Sequence, residues 1–186
     1  MTELLSLALN IQDICKKNGW PFCIIGGLAL QHWGEPRLTR DVDATVHTGF
    51  GGEEPIVDAL LEQYKPRIAD ARKFALLNRV LLLQSGNGIG IDIALGALPF
   101  EQQSIDRAVE VEVLPEKFLR LCTAEDLIVM KAFANRPRDW FDIESILMRQ
   151  GHLDWNHIME NLQPLCEAKE DPDIVPRLEA MRSKIG

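Results

Sequence analysis

The sequence predicts an α/β protein, also classed as α+β, in which helices flank a mixed β-sheet and a helical bundle follows at the carboxyl end. Apolar runs of strand length alternate with helical runs over residues 1–120, whereas only helical patterns follow Thr123. The segment RVLLLQS-GNG-IGIDIALG is the strongest hairpin signal, and a hairpin places antiparallel strands beside any parallel ones. We therefore expect a sheet domain over residues 1–120 and a helical region over residues 121–186.

The first predicted elements are a helix, a strand and a short helix. Leu4, Leu7 and Ile11 recur at helical spacing without a basic leader or a cleavage site. We expect a packed helix there, neither a signal peptide nor a membrane span. PFCII then predicts a short buried strand, and Gly26 and Gly27 predict a tight turn that opens a short helix.

The middle of the chain supplies the rest of the predicted sheet. After the break from Gly34 to Pro36, the segment from Asp41 to Val46 predicts a strand, and the segment from Glu54 to Tyr64 predicts a helix with its apolar side inward. The hairpin follows, and AVEVEVLP predicts another alternating strand.

Four helices are predicted at the carboxyl end. Thr123 and Asp126 have the spacing of a capping box before LIVMKAFANR, and Pro137 begins the next helix. Asp154 is the expected cap of a third helix, and a last helix follows Pro172. These segments predict a small bundle.

Charge and cysteine content limit the function classes. A formal charge of −8 argues against a protein that coats nucleic acid non-specifically, because such binding neutralises many phosphates. A local basic surface stays open between Lys65 and Arg79, where five cations stand against one Asp. The four cysteines form no Cys-x-x-Cys pair, which favours reduced, buried thiols in a cytosolic protein without a metal cluster.

Three aspartates predict a cation site. Asp41 and Asp43 lie two residues apart, so on a strand their carboxylates project from one face. Like charges at that range are compensated by a cation, and hard oxygen ligands suit Mg²⁺ or Mn²⁺. Asp92, the one charged residue from Ile89 to Leu98, could complete the site from a neighbouring strand. The alternative is an acidic pair at a strand start and an Asp on the solvent face of the sheet.

The glycine pair is a candidate phosphate site. Gly26 and Gly27 end a strand and open a helix, which leaves backbone N–H groups accessible at the positive end of a helix dipole. Rossmann and P-loop glycine patterns are absent from the sequence. A tight turn with no ligand is the alternative.

Together these residues resemble a known family. Gly-Gly at a strand end, a short helix, Arg-x-Thr-Arg-Asp-x-Asp and a later Ile-Asp-Ile resemble the polymerase-beta-like nucleotidyltransferase superfamily. The version GGLAL…RLTRDVDATV, with TAEDLIVMKAFA…RPRDWFDI downstream, is similar to the AbiEii-type nucleotidyltransferase toxins of bacterial abortive-infection and toxin–antitoxin systems. The match runs from about Ile24 to Leu147. One departure is the turn, which is Gly-Gly where the wider superfamily usually has Gly-Ser.

The resemblance implies a role for each matched residue. Gly26 and Gly27 would hold a nucleoside triphosphate (NTP), and Asp41 and Asp43 would bind Mg²⁺, with Asp92 as a further metal ligand or as the base. Lys131 matches the downstream Lys motif, as a phosphate contact and catalytic residue, and Asp142 matches the downstream Asp motif, as a nucleotide-binding residue. Arg37 and Arg40 flank the Asp pair and could contact phosphates of the nucleotide.

Arg37, Arg40, Lys131 and Asp142 each have an alternative interpretation. Arg37 and Arg40 could be solvated loop cations or partners of Glu35. Lys131 could be a helix-surface lysine, and Asp142 could belong to a surface salt bridge.

The resemblance favours RNA as the acceptor of the implied reaction. A toxin-like enzyme would transfer a nucleoside monophosphate to RNA, such as a tRNA end, and would have an antitoxin partner. A cationic small molecule such as an aminoglycoside is the second acceptor class, because an acidic cleft favours cationic substrates. A noncatalytic nucleotide-binding module is the alternative from a different class.

Overall fold

The computed structural model describes residues 2–185, over which the chain forms seven strands and nine helices. The strands are β1 (Phe22–Ile24), β2 (Asp41–His47), β3 (Lys65–Pro66), β4 (Val80–Gln84), β5 (Gly90–Gly96), β6 (Val109–Leu114) and β7 (Lys117–Leu121). The helices are α1 (Thr2–Asn18), α2 (Gly26–Trp33), α3 (Glu53–Leu61), α4 (Ala71–Asn78), α5 (Pro99–Arg107), α6 (Ala124–Ala134), α7 (Pro137–Arg149), α8 (Trp155–Lys169) and α9 (Ile174–Ile185).

The strands form one mixed sheet in the order β3-β4-β5-β2-β1-β7-β6. The pairs β2/β5 and β1/β7 are parallel, and the other neighbours are antiparallel. The hairpin predicted from the GNG turn is confirmed as β4 and β5, with Gln84 opposite Gly90. The predicted α/β class with a mixed sheet is therefore confirmed.

Contacts divide the chain into two compact units. Residues 2–28 and 38–122 form the first unit, and residues 29–37 and 123–185 form the second. The division into domains after residue 120 stays a prediction, and the sequence offered no sign that residues 29–37 group with the later helices.

The core of the first unit lies on one face of its sheet. Side chains alternate between the two faces of a strand, so Val42, Ala44 and Val46 of β2 are buried on the core face. Ile91 and Ile93 of β5 join them, and α1, α3 and α4 supply the apolar side chains that pack against this face. Consequently Asp41, Asp43 and Asp92 project from the opposite face.

The second unit confirms the predicted helix starts. Thr123 is the N-cap of α6, and its hydroxyl accepts a hydrogen bond from the Asp126 backbone N–H at 3.2 Å. Asp154 caps α8 by accepting from the His157 backbone N–H at 3.0 Å. These bonds satisfy amide groups that have no partner within the helix.

Four elements have no counterpart in the sequence-based description: β3, α4, α5 and β7. Helix α4 follows Asp70, which has a left-handed conformation and makes no side-chain cap, so its start carries no recognisable signal. Helix α5 buries only Phe100, Ser104 and Ile105, too few apolar residues for a clear helical period. The four cysteines are free and buried, as predicted. Within residues 2–185, no helix combines the length and apolar character needed to cross a bilayer.

Candidate functional site

Two parallel strands bring the predicted carboxylates together. In the β2/β5 register Asp43 lies opposite Asp92, and Asp41 lies opposite Gly90. Directly paired residues share a face of the sheet, so Asp43 and Asp92 project side by side. Both are half-buried, as is Asp41. Residues 49 positions apart in the chain thereby become neighbours through strand pairing.

The glycine turn lies at the same end of these strands as the carboxylates. Strand β1 runs antiparallel to β2, with Ile24 opposite Ala44, and the Ile25 backbone N–H donates to the Asp43 carbonyl at 2.9 Å. The chain therefore enters the turn directly beside Asp43. Gly26 has a φ of 62°, and a Cβ at this position would overlap the Asp43 side chain. The Gly27 N–H lies 3.4 Å from Asp43 Oδ2, to which it donates.

Thr39 is a neighbour of the turn that sequence reasoning missed. Its side chain fills the space that a Cβ on Gly27 would need, and its hydroxyl donates to the Asp41 carbonyl at 3.4 Å. In a Gly-Ser turn the serine side chain would overlap the Thr39 side chain. The Gly-Gly sequence therefore matches its surroundings. The signal in the sequence was the Thr within RLTRD, two residues before Asp41.

Arg67 is the second residue that sequence reasoning did not place in the site. One of its terminal nitrogens, Nη2, donates to Asp92 Oδ1. The other, Nη1, lies 3.0 Å from the position that a Cβ on Gly90 would occupy, and Asp41 Oδ1 also borders that position. Arg67 belonged to the basic run noted between Lys65 and Arg79, but nothing in that run distinguished it from its neighbours.

The electrostatics of Asp92 reflect this crowding. Burial raises the pKa of Asp92 above its ordinary value, and the negative charges of Asp43 and Asp41 raise it further, while the Arg67 guanidinium acts in the opposite direction. A carboxylate that is disfavoured by burial and by like charges is favoured by added positive charge.

The donor chemistry fits a hard divalent cation. Carboxylate oxygens from Asp41, Asp43 and Asp92 are the ligand type that Mg²⁺ and Mn²⁺ prefer. As the side chains stand, no three His, Cys, Asp or Glu side chains among residues 2–185 are arranged around one metal position. The assignment of the three aspartates as metal ligands therefore stays a prediction.

Three other predicted residues, Arg37, Lys131 and Asp142, belong to a charged cluster in the second unit. Arg37 donates from Nε to Asp142 Oδ1 and from Nη2 to Asp142 Oδ2, each at 2.8 Å. Lys131 Nζ donates to Asp142 Oδ2 at 2.6 Å and to Asp139 Oδ1 at 3.3 Å. We call Arg37, Lys131, Asp139 and Asp142 the second-unit cluster.

Lys131 and Asp142 are not the surface residues of the alternative interpretation. Lys131 and Asp142 are 6% and 4% exposed. Burial on its own raises the pKa of Asp142, but the hydrogen bonds from Arg37 and Lys131 outweigh it and hold that pKa below its ordinary value. Arg40, by contrast, is exposed. The nucleotide-binding roles of Lys131, Asp142, Arg37 and Arg40 stay predictions.

A comparison with protein families assigns the chain to the nucleotidyltransferases. A family model described as "Nucleotidyltransferase of unknown function (DUF6036)" matches residues 2–174. The chain belongs to this family. The AbiEii type expected from the sequence is a finer assignment, which the family match leaves open. No curated protein sequence matches the chain.

Solved structures share the fold. An antigenic nucleotidyltransferase-like protein from Paracoccidioides brasiliensis has a TM-score of 0.58 at 15% identity, over 97% of this chain and 94% of that one. ANT(2″)-Ia in complex with adenylyl-2″-tobramycin has a TM-score of 0.52 at 18% identity, over 100% of both chains. The lincosamide antibiotic adenylyltransferase LnuA, lincomycin-bound, has a TM-score of 0.51 at 14% identity, over 74% of this chain and 92% of that one.

Proposed function

We propose that this protein transfers a nucleoside monophosphate from an NTP to an acceptor hydroxyl, with Mg²⁺ or Mn²⁺ as cofactor. The new bond joins the acceptor oxygen to the α-phosphorus, the α–β phosphoanhydride bond breaks, and pyrophosphate leaves. The observation that carries the proposal is the pairing of Asp43 with Asp92 across parallel strands, beside the Gly26 turn. A candidate cation site and a candidate phosphate site thus lie side by side at one end of the central strands. The match to a nucleotidyltransferase family supports the reaction class.

The candidate site residues of the first unit have separate roles in this proposal. Asp41, Asp43 and Asp92 would hold the cation, which when bound supplies charge neutralisation and Lewis-acid chemistry. The amides at the start of α2 would orient the triphosphate, because N–H groups at a helix N-terminus favour anions. If Asp92 is the base and not a metal ligand, its carboxylate would accept the proton of the acceptor hydroxyl.

We propose a small, hydroxylated, cationic molecule as the acceptor. The acidic face of Asp41, Asp43 and Asp92 favours a cationic substrate. The basic segment noted in the sequence offers less to RNA than its composition suggested. Arg72 is paired with Asp58 and Glu54, and Arg79 donates to Glu53. Two of the similar structures contain an adenylylated tobramycin and a lincomycin, which supports a small acceptor here.

RNA is the second candidate acceptor. Its support is the similarity of RLTRDVDATV and RPRDWFDI to AbiEii-type toxins, together with the exposure of Arg40 immediately before the Asp pair. In that case a tRNA end would be the acceptor, and an antitoxin would be the partner.

An acceptor screen tests the proposal. The purified protein is incubated with each labelled NTP and Mg²⁺, in parallel with an aminoglycoside and lincosamide panel and with total tRNA. We expect a labelled small-molecule adduct and no labelled RNA. Asp43→Asn is the inactive control, and Asp58→Asn, a matched change on α3 away from the site, retains activity.

The outcomes separate the hypotheses. Labelled tRNA without small-molecule adducts would overturn the acceptor class and favour the toxin-like function. If neither acceptor is labelled and calorimetry detects no Mg²⁺-dependent NTP binding, nucleotidyl transfer itself is wrong for this chain, and the noncatalytic module becomes the better interpretation.

A further inference from the structure

Arg67 is aligned with the carboxylates by the sheet itself. Its backbone N–H donates to the Leu82 carbonyl at 3.0 Å, which extends the β3/β4 pairing by one residue. Leu82 pairs with Asp92, and Asp92 pairs with Asp43. Arg67, Leu82, Asp92 and Asp43 thus form a row across four neighbouring chain segments. Arg67 is at the outer end of this row, and its side chain reaches Asp92.

The guanidinium lies beside two of the three acidic groups. Nη2 is hydrogen-bonded to Asp92 Oδ1, while Nη1 and the Asp41 carboxylate border the same space beside Gly90. The Arg67 side chain is 29% exposed and that of Asp92 is 32% exposed, so solvent weakens the pair without removing it. Arg72 and Arg79 of the same basic segment pair instead with residues of α3.

We propose that Arg67 is a resident counter-cation of this site, and that Arg67 and a divalent cation are alternative partners of the Asp92 carboxylate. The inference rests on the proposed function, because it takes Asp41, Asp43 and Asp92 as cation ligands. In the free protein Arg67 compensates Asp92. A divalent cation on the same oxygen requires the guanidinium to withdraw, because two cations repel at that range.

Because of this competition, Arg67 lowers the affinity of the carboxylate site for a divalent cation until a phosphate group binds. A guanidinium displaced from a carboxylate pairs well with phosphate oxygens, since both anions match its planar array of donors. The triphosphate would therefore offer Arg67 a new partner at the moment when the cation takes Asp92. The expected consequence is that NTP and divalent cation each strengthen the binding of the other.

Cation binding without nucleotide tests the inference. Free Mn²⁺ is measured by electron paramagnetic resonance during titration of the whole protein with Mn²⁺ alone. We expect Arg67→Gln to bind Mn²⁺ about tenfold more tightly than the wild-type chain, within the usual range for coupled sites. Arg67→Lys, which keeps the charge, should stay closer to wild type. Arg72→Gln removes an ion-paired arginine elsewhere in the unit and should leave Mn²⁺ affinity unchanged.

A double variant separates competition at Asp92 from a general effect of charge. In an Asp92→Asn background, Arg67→Gln should change Mn²⁺ affinity by much less than tenfold, because the shared carboxylate is gone. An undiminished effect in that background would overturn the assignment of Asp92 as the shared partner.

A second measurement uses the wild-type chain and does not depend on whether the variant folds. The side-chain Nε–H resonance of Arg67 should shift on titration with Mg²⁺, whereas that of Arg72 should not. A silent Arg67 resonance at saturating Mg²⁺, or equal or weaker Mn²⁺ binding by Arg67→Gln, overturns the inference while leaving nucleotidyl transfer intact. Absence of Mn²⁺ binding by every form overturns both this inference and the proposed cofactor.

Discussion

The two groups of acidic side chains in this protein differ in how fully cations compensate them. In the first unit Asp41, Asp43 and Asp92 are half-buried, and Arg67 bonds to Asp92. In the second-unit cluster Asp142 alone receives three hydrogen bonds, two from Arg37 and one from Lys131. The first arrangement can gain from an added cation, whereas the second is already neutralised.

The pKa shifts follow the same division. The pKa of Asp92 is raised, because burial and neighbouring negative charge outweigh Arg67. The pKa of Asp142 is lowered, because its hydrogen bonds from Arg37 and Lys131 outweigh its burial. From this contrast we expect the incompletely compensated carboxylates to serve ligand binding and the fully compensated ones to serve stability.

The largest expected effect is on transfer by Asp43→Asn. The change removes one negative charge from the carboxylate group but keeps the size of the side chain and its acceptor oxygen for the Gly27 N–H. We expect a loss of about a thousandfold in the transfer rate. Thermal unfolding should change little, because the substitution also relieves repulsion with Asp92. A variant with wild-type transfer rates would remove Asp43 from the site.

The next effect concerns stability and the second-unit cluster. Asp142→Ala leaves the charges of Arg37 and Lys131 without their main partner, and breaking a buried ion pair by removing one member costs about 3 kcal/mol. Urea unfolding at pH 7 measures the loss. A cost under about 1 kcal/mol would mean that this cluster is no more important for stability than an exposed ion pair.

The stability that Asp142 contributes should depend on pH in a defined direction. Because the pKa of Asp142 is lowered in the folded protein, its contribution is fully present above its unfolded pKa and is lost as pH falls through the folded value. The difference in unfolding free energy between wild type and Asp142→Ala should thus be constant from pH 7 to about 5 and should shrink below about pH 4. A difference that grows on acidification would contradict the lowered pKa.

The sequence predicted most of the first unit because its signals are local. The GNG turn predicted β4 and β5, and the Asp-x-Asp pair predicted two carboxylates on one face of β2. It could not predict Arg67, because its place beside Asp92 depends on the β3/β4 pairing, and β3 has only two residues. Thr39 was missed for a similar reason, since its proximity to Gly27 arises from the return of the chain after α2.

The second-unit cluster also shows that contacts between distant parts of the chain are hard to predict from the sequence. Lys131 and Asp142 were found in the sequence through a resemblance, and their surface alternative was wrong because helical spacing alone did not reveal their burial. Arg37 was grouped with the Asp pair because it lies four residues from Asp41, yet its hydrogen-bond partner is Asp142, 105 residues away. Sequence distance is a poor guide where the chain leaves one unit and returns.

A smaller effect on stability should distinguish Gly19, which has only a left-handed backbone, from Gly26, which also leaves space for a carboxylate. Gly26 and Gly19 have similar left-handed conformations, with φ of 62° and 67°, but only the Gly26 position is crowded by Asp43. Alanine at either position carries a backbone cost of about 1 kcal/mol. We expect Gly26→Ala to lose about 2 kcal/mol in total, because Asp43 must move, and to weaken Mn²⁺ binding, which Gly19→Ala leaves unchanged. Equal losses would mean that Asp43 adapts freely.

The smallest expected effect comes from Arg136, the exposed partner of the second-unit cluster. Its Nε lies 3.5 Å from Asp139 Oδ2, and its side chain is 78% exposed, whereas that of Lys131 on the other side of Asp139 is 8% exposed. Water screens the Arg136 charge, so Arg136→Ala should change the free energy of unfolding by less than about 0.5 kcal/mol. The pH dependence measured for Asp142 should survive intact in this variant. A loss of unfolding free energy comparable to that of Asp142→Ala would show that the exposed Arg136 also compensates the acidic side chains of the cluster. The cluster would then differ from the first-unit carboxylates in the number of its cations and not in their burial.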